Sequence, residues 1–142
     1  MRVSNTISSR WRWLRHLADA GRCGSCKASL PPLASPLEVD SAAFNDIVRQ
    51  ASVPILIDFW AAWCGPCRMA APEVAALAGD VAGRAIVLKV NTEQNPDVTA
   101  RYRVQSVPYF VLLRTGRVMM ERAGVAPGSE MLRWIEQTVP SG

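Results

Sequence analysis

The stretch IDFWAAWCGPC, residues 57–67, joins the end of an apolar run to the start of a helical pattern. Its last residues place Cys64 and Cys67 at the expected first turn of that helix, separated only by Gly65 and Pro66. Unpaired backbone N–H groups at a helix start carry partial positive charge, which favours a thiolate over a thiol. Proline suits this position because its missing N–H costs no hydrogen bond there. The spacing therefore predicts a cysteine pair that forms and breaks a small disulfide ring.

Two other interpretations of this pair are open: half of a zinc site, and an inert pair in the core. A zinc site usually needs four ligands, but no cysteine follows Cys67 and the single histidine, His16, lies far upstream. Glycine and proline inside the segment, with Trp63 beside it, are typical of an exposed turn between a strand and a helix. Redox chemistry is therefore the favoured interpretation.

Length and charge indicate how the chain is divided. The 142 residues allow one domain and a short extension. No segment approaches the roughly 18 consecutive apolar residues that span a bilayer, so we expect a soluble protein. Residues 1–34 carry six basic side chains and one acidic side chain, whereas the remainder has a net charge of −1. Because the prolines at 31–36 interrupt helical structure, we predict an N-terminal extension over 1–34 and a domain over 35–142.

Beyond this boundary the apolar pattern alternates between strands and helices. The expected strands lie at residues 37–39, 53–60, 84–91, 110–114 and 118–122. The expected helices begin near Asp40, Cys64, Asn95 and Pro127. The second strand is apolar almost throughout, as in a strand covered on both faces, and Thr115-Gly116 marks a hairpin turn. The order βαβαβαββα predicts an α/β fold with a central mixed sheet and helices on both faces.

Several segments together resemble the thioredoxin family: IDFWAAWCGPC, then VNTEQNPDVTARYRVQSVPYF at 90–110, then the predicted hairpin before Gly124. The resemblance covers residues 36–140, and its elements match in order and spacing. It implies the thioredoxin fold and a protein-disulfide reductase, which is a thiol-disulfide oxidoreductase without a bound cofactor. It also implies two kinds of partner, a thioredoxin reductase and disulfide-containing client proteins. We expect a cytoplasmic monomer.

The resemblance also implies a role for each polar group near the pair. Cys64, at an exposed helix end, would attack a client disulfide, and Cys67 would resolve the resulting mixed disulfide. Asp58 lies inside an apolar strand, where burial raises the pKa of a carboxyl group, and by resemblance it relays the proton of Cys67. By resemblance Lys89 lies beside Asp58 and tunes it. The alternatives are that Asp58 is a structural acid paired with a donor, and that Lys89 extends into solvent at a strand edge.

A client-binding surface follows from the same resemblance. Pro108 would be cis and face the cysteine pair, leaving the backbone of Val107 free to pair with a client strand. An ordinary trans proline in an edge turn is the alternative. Tyr109 departs from the small hydroxyl residue that is usual in the family, which puts the surroundings of Asp58 in question. The expected client surface also includes Trp63, Gly65, Pro66 and Gly124.

The N-terminal extension has its own resemblance. Residues 17–33, LADAGRCGSCKASLPPL, are similar to the second half of the zinc ribbon in thioredoxins of the thioredoxin 2 type. The earlier CxxC of such a ribbon is missing, so Cys23 and Cys26 offer two thiolates where zinc needs about four ligands. We therefore expect a relic without stoichiometric zinc, the alternative being a site shared between two chains.

A basic segment with two tryptophans, RWRWLRH at residues 10–16, is compatible with nucleic acid or a membrane surface. Because the segment is short, we expect neither nucleic acid nor a stable membrane contact as a partner. Few acidic residues nearby also give a faint likeness to an organellar transit peptide, and the absence of an apolar core segment argues against secretion.

A different functional class is a binding module of the same fold, whose partner is chosen by the extension. Retention of Cys64, Cys67, Asp58 and Pro108 favours the enzyme, because a binding module would need none of them. Within the enzyme class an oxidase is the nearest competitor. The Gly-Pro dipeptide between the cysteines resembles reductants.

Overall fold

The computed structural model describes residues 34–138, which contain five strands and four helices. The strands are β1 (Leu37–Glu38), β2 (Ile55–Trp60), β3 (Ile86–Asn91), β4 (Tyr109–Arg114) and β5 (Arg117–Ala123). The helices are α1 (Ser41–Gln50), α2 (Gly65–Asp80), α3 (Pro96–Arg101) and α4 (Gly128–Thr138). The predicted order βαβαβαββα is confirmed, with β2 and β3 each beginning two residues later than predicted. Apart from Ala34, the predicted extension lies outside the described residues.

The strands form one mixed sheet in the order β1-β3-β2-β4-β5. β2 pairs in parallel with β3 and antiparallel with β4, so the most apolar run of the sequence lies at the centre. Parallel pairing needs a crossover between strands, and α1 and α2 supply the connections from β1 to β2 and from β2 to β3. The predicted hairpin at Thr115-Gly116 joins β4 to β5, with φ angles of 50° and 81° at these residues. Positive φ at both central residues is the geometry of a two-residue turn matched to strand twist.

Side chains alternate between the two faces of the sheet, and each face has its own core. The α1–α3 face packs Phe44 and Ile47 of α1 against Ile57 and Phe59 of β2. The α2–α4 face packs the helices α2 and α4 against Leu56 of β2 and its neighbours on β3 and β4. The predicted arrangement of helices on both faces is therefore confirmed.

Two local features place α2 over the end of the sheet at which β2 terminates. β2 ends at Trp60, and α2 begins five residues later at Gly65, so the chain turns back directly over the carboxyl end of the strand. α2 then runs helically through Pro72, burying Cys67, Ala70 and Val74 on the side that faces the sheet. Within residues 34–138, none of the helices is both long enough and apolar enough to cross a membrane.

Candidate active site

The cysteine pair caps the start of α2. Cys64 is the N-cap residue with extended backbone angles, and its Sγ accepts a hydrogen bond from the backbone N–H of Cys67 at 3.1 Å. Cys64 and Cys67 are joined by a disulfide bond, with their Cα atoms 5.3 Å apart. Pro66 lies in the first turn, where no hydrogen bond is lost. The sulfur of Cys64 therefore lies where the positive end of the helix stabilises a thiolate once the disulfide is reduced.

The expected exposure of Cys64 is wrong. Cys64 is only 2% exposed and Cys67 is 8% exposed, so neither sulfur projects from the surface in this disulfide form. The reason is packing from the opposite loop and from the end of β2. The carbonyl oxygen of Val107 lies 3.6 Å from Cys64 Sγ, and Ala61, Trp60 and Val107 pack around the pair. Helix position, rather than exposure, distinguishes the two cysteines.

Asp58 lies in the middle of the central strand and is 3% exposed. Its side chain alternates with that of Ile57, which places it on the α2–α4 face, the face on which α2 buries Cys67. Within the described residues its Oδ1 is buried without a hydrogen-bond partner. Burial raises the pKa of Asp58 from its ordinary 3.8 to about 7, the Lys89 charge opposes the rise, and the Glu38 charge adds to it. A carboxyl group with this pKa both takes up and releases a proton near neutral pH.

Lys89 is the direct neighbour of Asp58 on β3, in register across the parallel pair. β3 lies between β1 and β2, so Lys89 is not at a strand edge, and the edge alternative does not apply. Its Nζ lies 5.0 Å from the centroid of the Trp60 ring, within the range of a cation–π contact. Lys89 therefore lies beside Asp58 across the sheet, as the resemblance implied.

The Val107–Pro108 peptide bond is cis, as the resemblance implied. Pro108 is buried, and its carbonyl oxygen accepts a hydrogen bond from the backbone N–H of Gly124 at 2.9 Å. Gly124 has φ of 95°, a conformation that L side chains rarely adopt, and a Cβ there would meet nothing within 4 Å. Backbone conformation, rather than crowding within the domain, is what requires glycine at this position. Gly124 thus directly follows β5 and lies beside the cis-proline loop.

An apolar rim surrounds the pair. Trp63 is 66% exposed, and its indole N–H donates to the carboxylate of Glu93. Gly65 and Pro66 are also exposed. A shallow cavity of about 240 Å³ beside Trp63 is lined by Thr92, Thr99, Val104, Gln105, Ser106 and Val107. Two of the lining residues, Trp63 and Val107, were predicted from the sequence. The other five were not, because they come from the segments around α3 and approach Trp63 only in the folded chain.

Tyr109 does not face Asp58. It packs against the core of the α1–α3 face, and its hydroxyl donates to the Glu121 carboxylate at 2.5 Å. Having tyrosine at this position, where the family usually has a small hydroxyl residue, therefore leaves the surroundings of Asp58 unchanged. No cluster of three or more metal-ligating side chains occurs between residues 34 and 138. Cys23 and Cys26 lie outside the described residues.

Comparison with known proteins agrees with this geometry. A family model described as Thioredoxin matches residues 35–137. Thioredoxin 1 of Chlorobaculum tepidum is 46% identical over 87 residues, which are 61% of this chain and 86% of that protein. Thioredoxin C-3 of Corynebacterium nephridii is 35% identical over 121 residues, which are 85% of this chain and 82% of that protein. A solved mutant thioredoxin from Halobacterium salinarum NRC-1 has a TM-score of 0.70 and 30% identity, covering 78% of this chain and 96% of that one.

Proposed function

This chain belongs to the thioredoxin family and is a protein-disulfide reductase, and on that premise we propose how its residues divide the reaction. Cys64 is the nucleophile and Cys67 is the resolving cysteine. The observation that supports this order is the N-cap position of Cys64, whose sulfur accepts the backbone N–H of Cys67 in the first turn of α2. Cys67 lies one turn further along the helix and on its buried side.

The reaction then has two exchanges. The Cys64 thiolate attacks one sulfur of a client disulfide, so a Cys64–client disulfide forms, the client bond breaks, and one client thiolate leaves and takes up a proton. Cys67 then loses its proton, and its thiolate attacks Cys64 Sγ. The Cys64–Cys67 disulfide forms as the Cys64–client bond breaks, and the second client thiolate leaves and takes up a proton. The client is reduced by two electrons, and the cysteine pair is oxidised by two.

Asp58 accepts the proton that Cys67 must lose. Two observations support this role: Asp58 lies on the face covered by α2, and one of its carboxylate oxygens is buried without a partner in the described domain. Lys89, its neighbour on β3, limits the rise in the pKa of Asp58, so the carboxylate form is present near neutral pH. Asp58 therefore accepts the proton, and Lys89 adjusts the pKa of Asp58.

Clients bind along the loop that ends at the cis proline. The Val107 carbonyl lies against Cys64 Sγ, so an extended client segment paired with this backbone would place its disulfide beside the nucleophile. Trp63, Gly65, Pro66 and Gly124 supply the rim of this surface, and the cavity beside Trp63 takes an apolar client side chain. Main-chain recognition of this kind suits a reductase with many clients.

The remaining proposals concern the setting. The oxidised pair is recharged by a thioredoxin reductase, and the protein acts as a cytoplasmic monomer. It is of the thioredoxin 2 type, with residues 1–34 as a relic of its zinc ribbon beside a domain at 35–142. The match to Thioredoxin C-3 spans 121 residues, more than the domain at 35–142 contains, so the similarity continues into part of the extension. Zinc well below one equivalent in purified protein is the expected measurement.

Client trapping tests the order of the two cysteines. In a Cys23→Ser/Cys26→Ser background, which removes the other thiols, Cys67→Ser should accumulate mixed disulfides with clients because the resolving step is blocked. Cys64→Ser in the same background should trap almost none. Non-reducing gels followed by mass spectrometry measure both. Equal trapping by the two variants would contradict the assignment.

A further inference from the structure

Three charged residues lie in one row across the sheet. Lys89 on β3 is in register with Asp58 on β2 and with Glu38 on β1. Residues in register on neighbouring parallel strands point to the same face, so the two carboxylates flank one ammonium group. Two strand spacings of about 4.8 Å separate the backbones of the two acids. Glu38 was not singled out from the sequence, because a charged residue in a two-residue strand leaves no periodic pattern.

Trp60 connects Glu38 to the active site. Its indole N–H donates to Glu38 Oε2 at 3.1 Å, and its ring lies 5.0 Å from Lys89 Nζ. The same tryptophan packs against the Cys64–Cys67 pair. A single ring thus contacts the edge carboxylate, the shared cation and the redox centre.

Glu38 acts on Asp58 through the charge of Lys89 and through its own. Lys89 favours ionisation of Asp58, whereas the Glu38 carboxylate opposes it. Burial raises the pKa of Glu38 itself, while the Trp60 hydrogen bond and the Lys89 charge lower it. Glu38 remains in contact with solvent at the sheet edge, which screens its charge and limits its effect on Asp58.

We propose that Glu38 is a positioning residue for the resolving half of the reaction, which holds the Trp60 ring beside the cysteine pair and places a second negative charge in the row of Asp58 and Lys89. This inference rests on the proposed role of Asp58. It assigns the edge strand β1 a part in the chemistry, although β1 carries none of the reacting groups.

The other groups around Asp58 do not supply this effect. β4 places the uncharged Phe110 beside Asp58, and the next residue in the row, Arg122 on β5, is paired with Glu130 of α4 at 2.6 Å. On α2 the facing titratable group is Cys67, and the Glu73 carboxylate accepts the backbone N–H of Gly128. Among the described residues, Glu38 is therefore the acid in this row whose charge raises the pKa of Asp58.

The test is the pH dependence of the resolving step. In the Cys23→Ser/Cys26→Ser background, Cys64 is converted to a mixed disulfide with thionitrobenzoate, whose coloured release reports attack by Cys67. Glu38→Gln keeps an acceptor for the Trp60 indole but removes the charge, so the midpoint of the rate profile should fall by about half a pH unit. Glu38→Asp should restore it. Glu136→Gln, which changes an exposed acid on α4, is the control and should leave the profile unchanged.

Each outcome has one meaning. Suppose that Glu38→Gln leaves the midpoint of the rate profile unchanged, while Asp58→Asn abolishes the inflection near pH 7. The proposed role of Glu38 is then wrong, and that of Asp58 stands. An inflection that survives Asp58→Asn overturns the proposed role of Asp58. Glu38→Ala adds a readout of position: Trp60 fluorescence should change in Glu38→Ala and much less in Glu38→Gln. Equal change in both variants would contradict the hydrogen-bonding part of the proposal.

Discussion

The two faces of the sheet have the same architecture but different contents. On the α1–α3 face, β2 contributes Ile55, Ile57 and Phe59 to a core closed by apolar side chains. On the α2–α4 face, the same strand contributes Leu56 and then Asp58, directly below the helix that carries Cys67. One residue of shift along the strand therefore separates a packing position from that of the proposed proton acceptor. Both faces therefore supply apolar packing, and the second differs in also burying one costly carboxyl group, that of Asp58.

Phe59→Ala should have the largest effect on stability. Phe59 is fully buried against Tyr102, with ring centroids 6.0 Å apart. Removing such a side chain leaves a cavity and costs about 3 to 5 kcal/mol of unfolding free energy. Denaturant unfolding of the oxidised protein measures the loss, and the insulin reduction rate of the fraction that is still folded should be close to that of the unmodified protein. A stable variant with lost activity would break the division between the faces.

Asp58→Asn should have the opposite effect on stability. Below pH 3.8 the carboxyl is protonated in both states, and between pH 3.8 and about 7 only the folded state retains the proton. Stability of the unmodified protein therefore falls as pH rises through this window, by about 4 kcal/mol in total. Because asparagine does not titrate, the stability advantage of the variant should grow from pH 4 to pH 8.

The matched control for that series is Glu136→Gln, an exposed acid on α4 whose partner Arg84 is 3.9 Å away. Its stability difference from the unmodified protein should stay flat across the same pH range. If the curve for Asp58→Asn is equally flat, the Asp58 carboxyl is not destabilised by burial, and the second face does not differ from the first in the way described.

Tyr109→Thr should have the smallest effect. Tyr109 lies on the α1–α3 face, so restoring the small residue usual in the family should leave the pH dependence of the resolving step unchanged. Because the variant loses the hydrogen bond to Glu121 and part of the packing of a half-buried ring, it should cost about 1 to 2 kcal/mol of unfolding free energy. A shift in the pH profile would show that the two faces communicate across the sheet at this position.

Much of the fold was predictable because it depends on local patterns. The apolar run that ends at Trp60 predicted a strand covered on both faces, and Thr115-Gly116 predicted the hairpin. A helix was expected to begin near Asp40, and the Asp40 carboxylate caps α1 by accepting the Ala43 N–H at 2.8 Å. The resemblance predicted that Lys89 lies beside Asp58, and the two residues are in register on adjacent strands.

What the sequence did not reveal depends on contacts between distant segments. The covering of Cys64 comes from the Val107 carbonyl, 43 residues away, and no local pattern encodes that approach. The face on which Tyr109 lies depends on the register of β4, and a shift of one residue would move its side chain to the opposite face. Glu38 became relevant only once β1 was placed beside β3. Such features follow from the packing of the whole domain.

The most direct test of Asp58 as the proton acceptor of Cys67 is the rate of thionitrobenzoate release from the Cys64 mixed disulfide as a function of pH. In the unmodified active site the rate should rise with pH through an inflection near 7. In Asp58→Asn the rate at pH 7 should be lower by about tenfold or more, and the inflection should move toward the ordinary thiol pKa of about 8.5. Superimposable profiles would contradict the account, because Cys67 would then lose its proton without help from the buried acid.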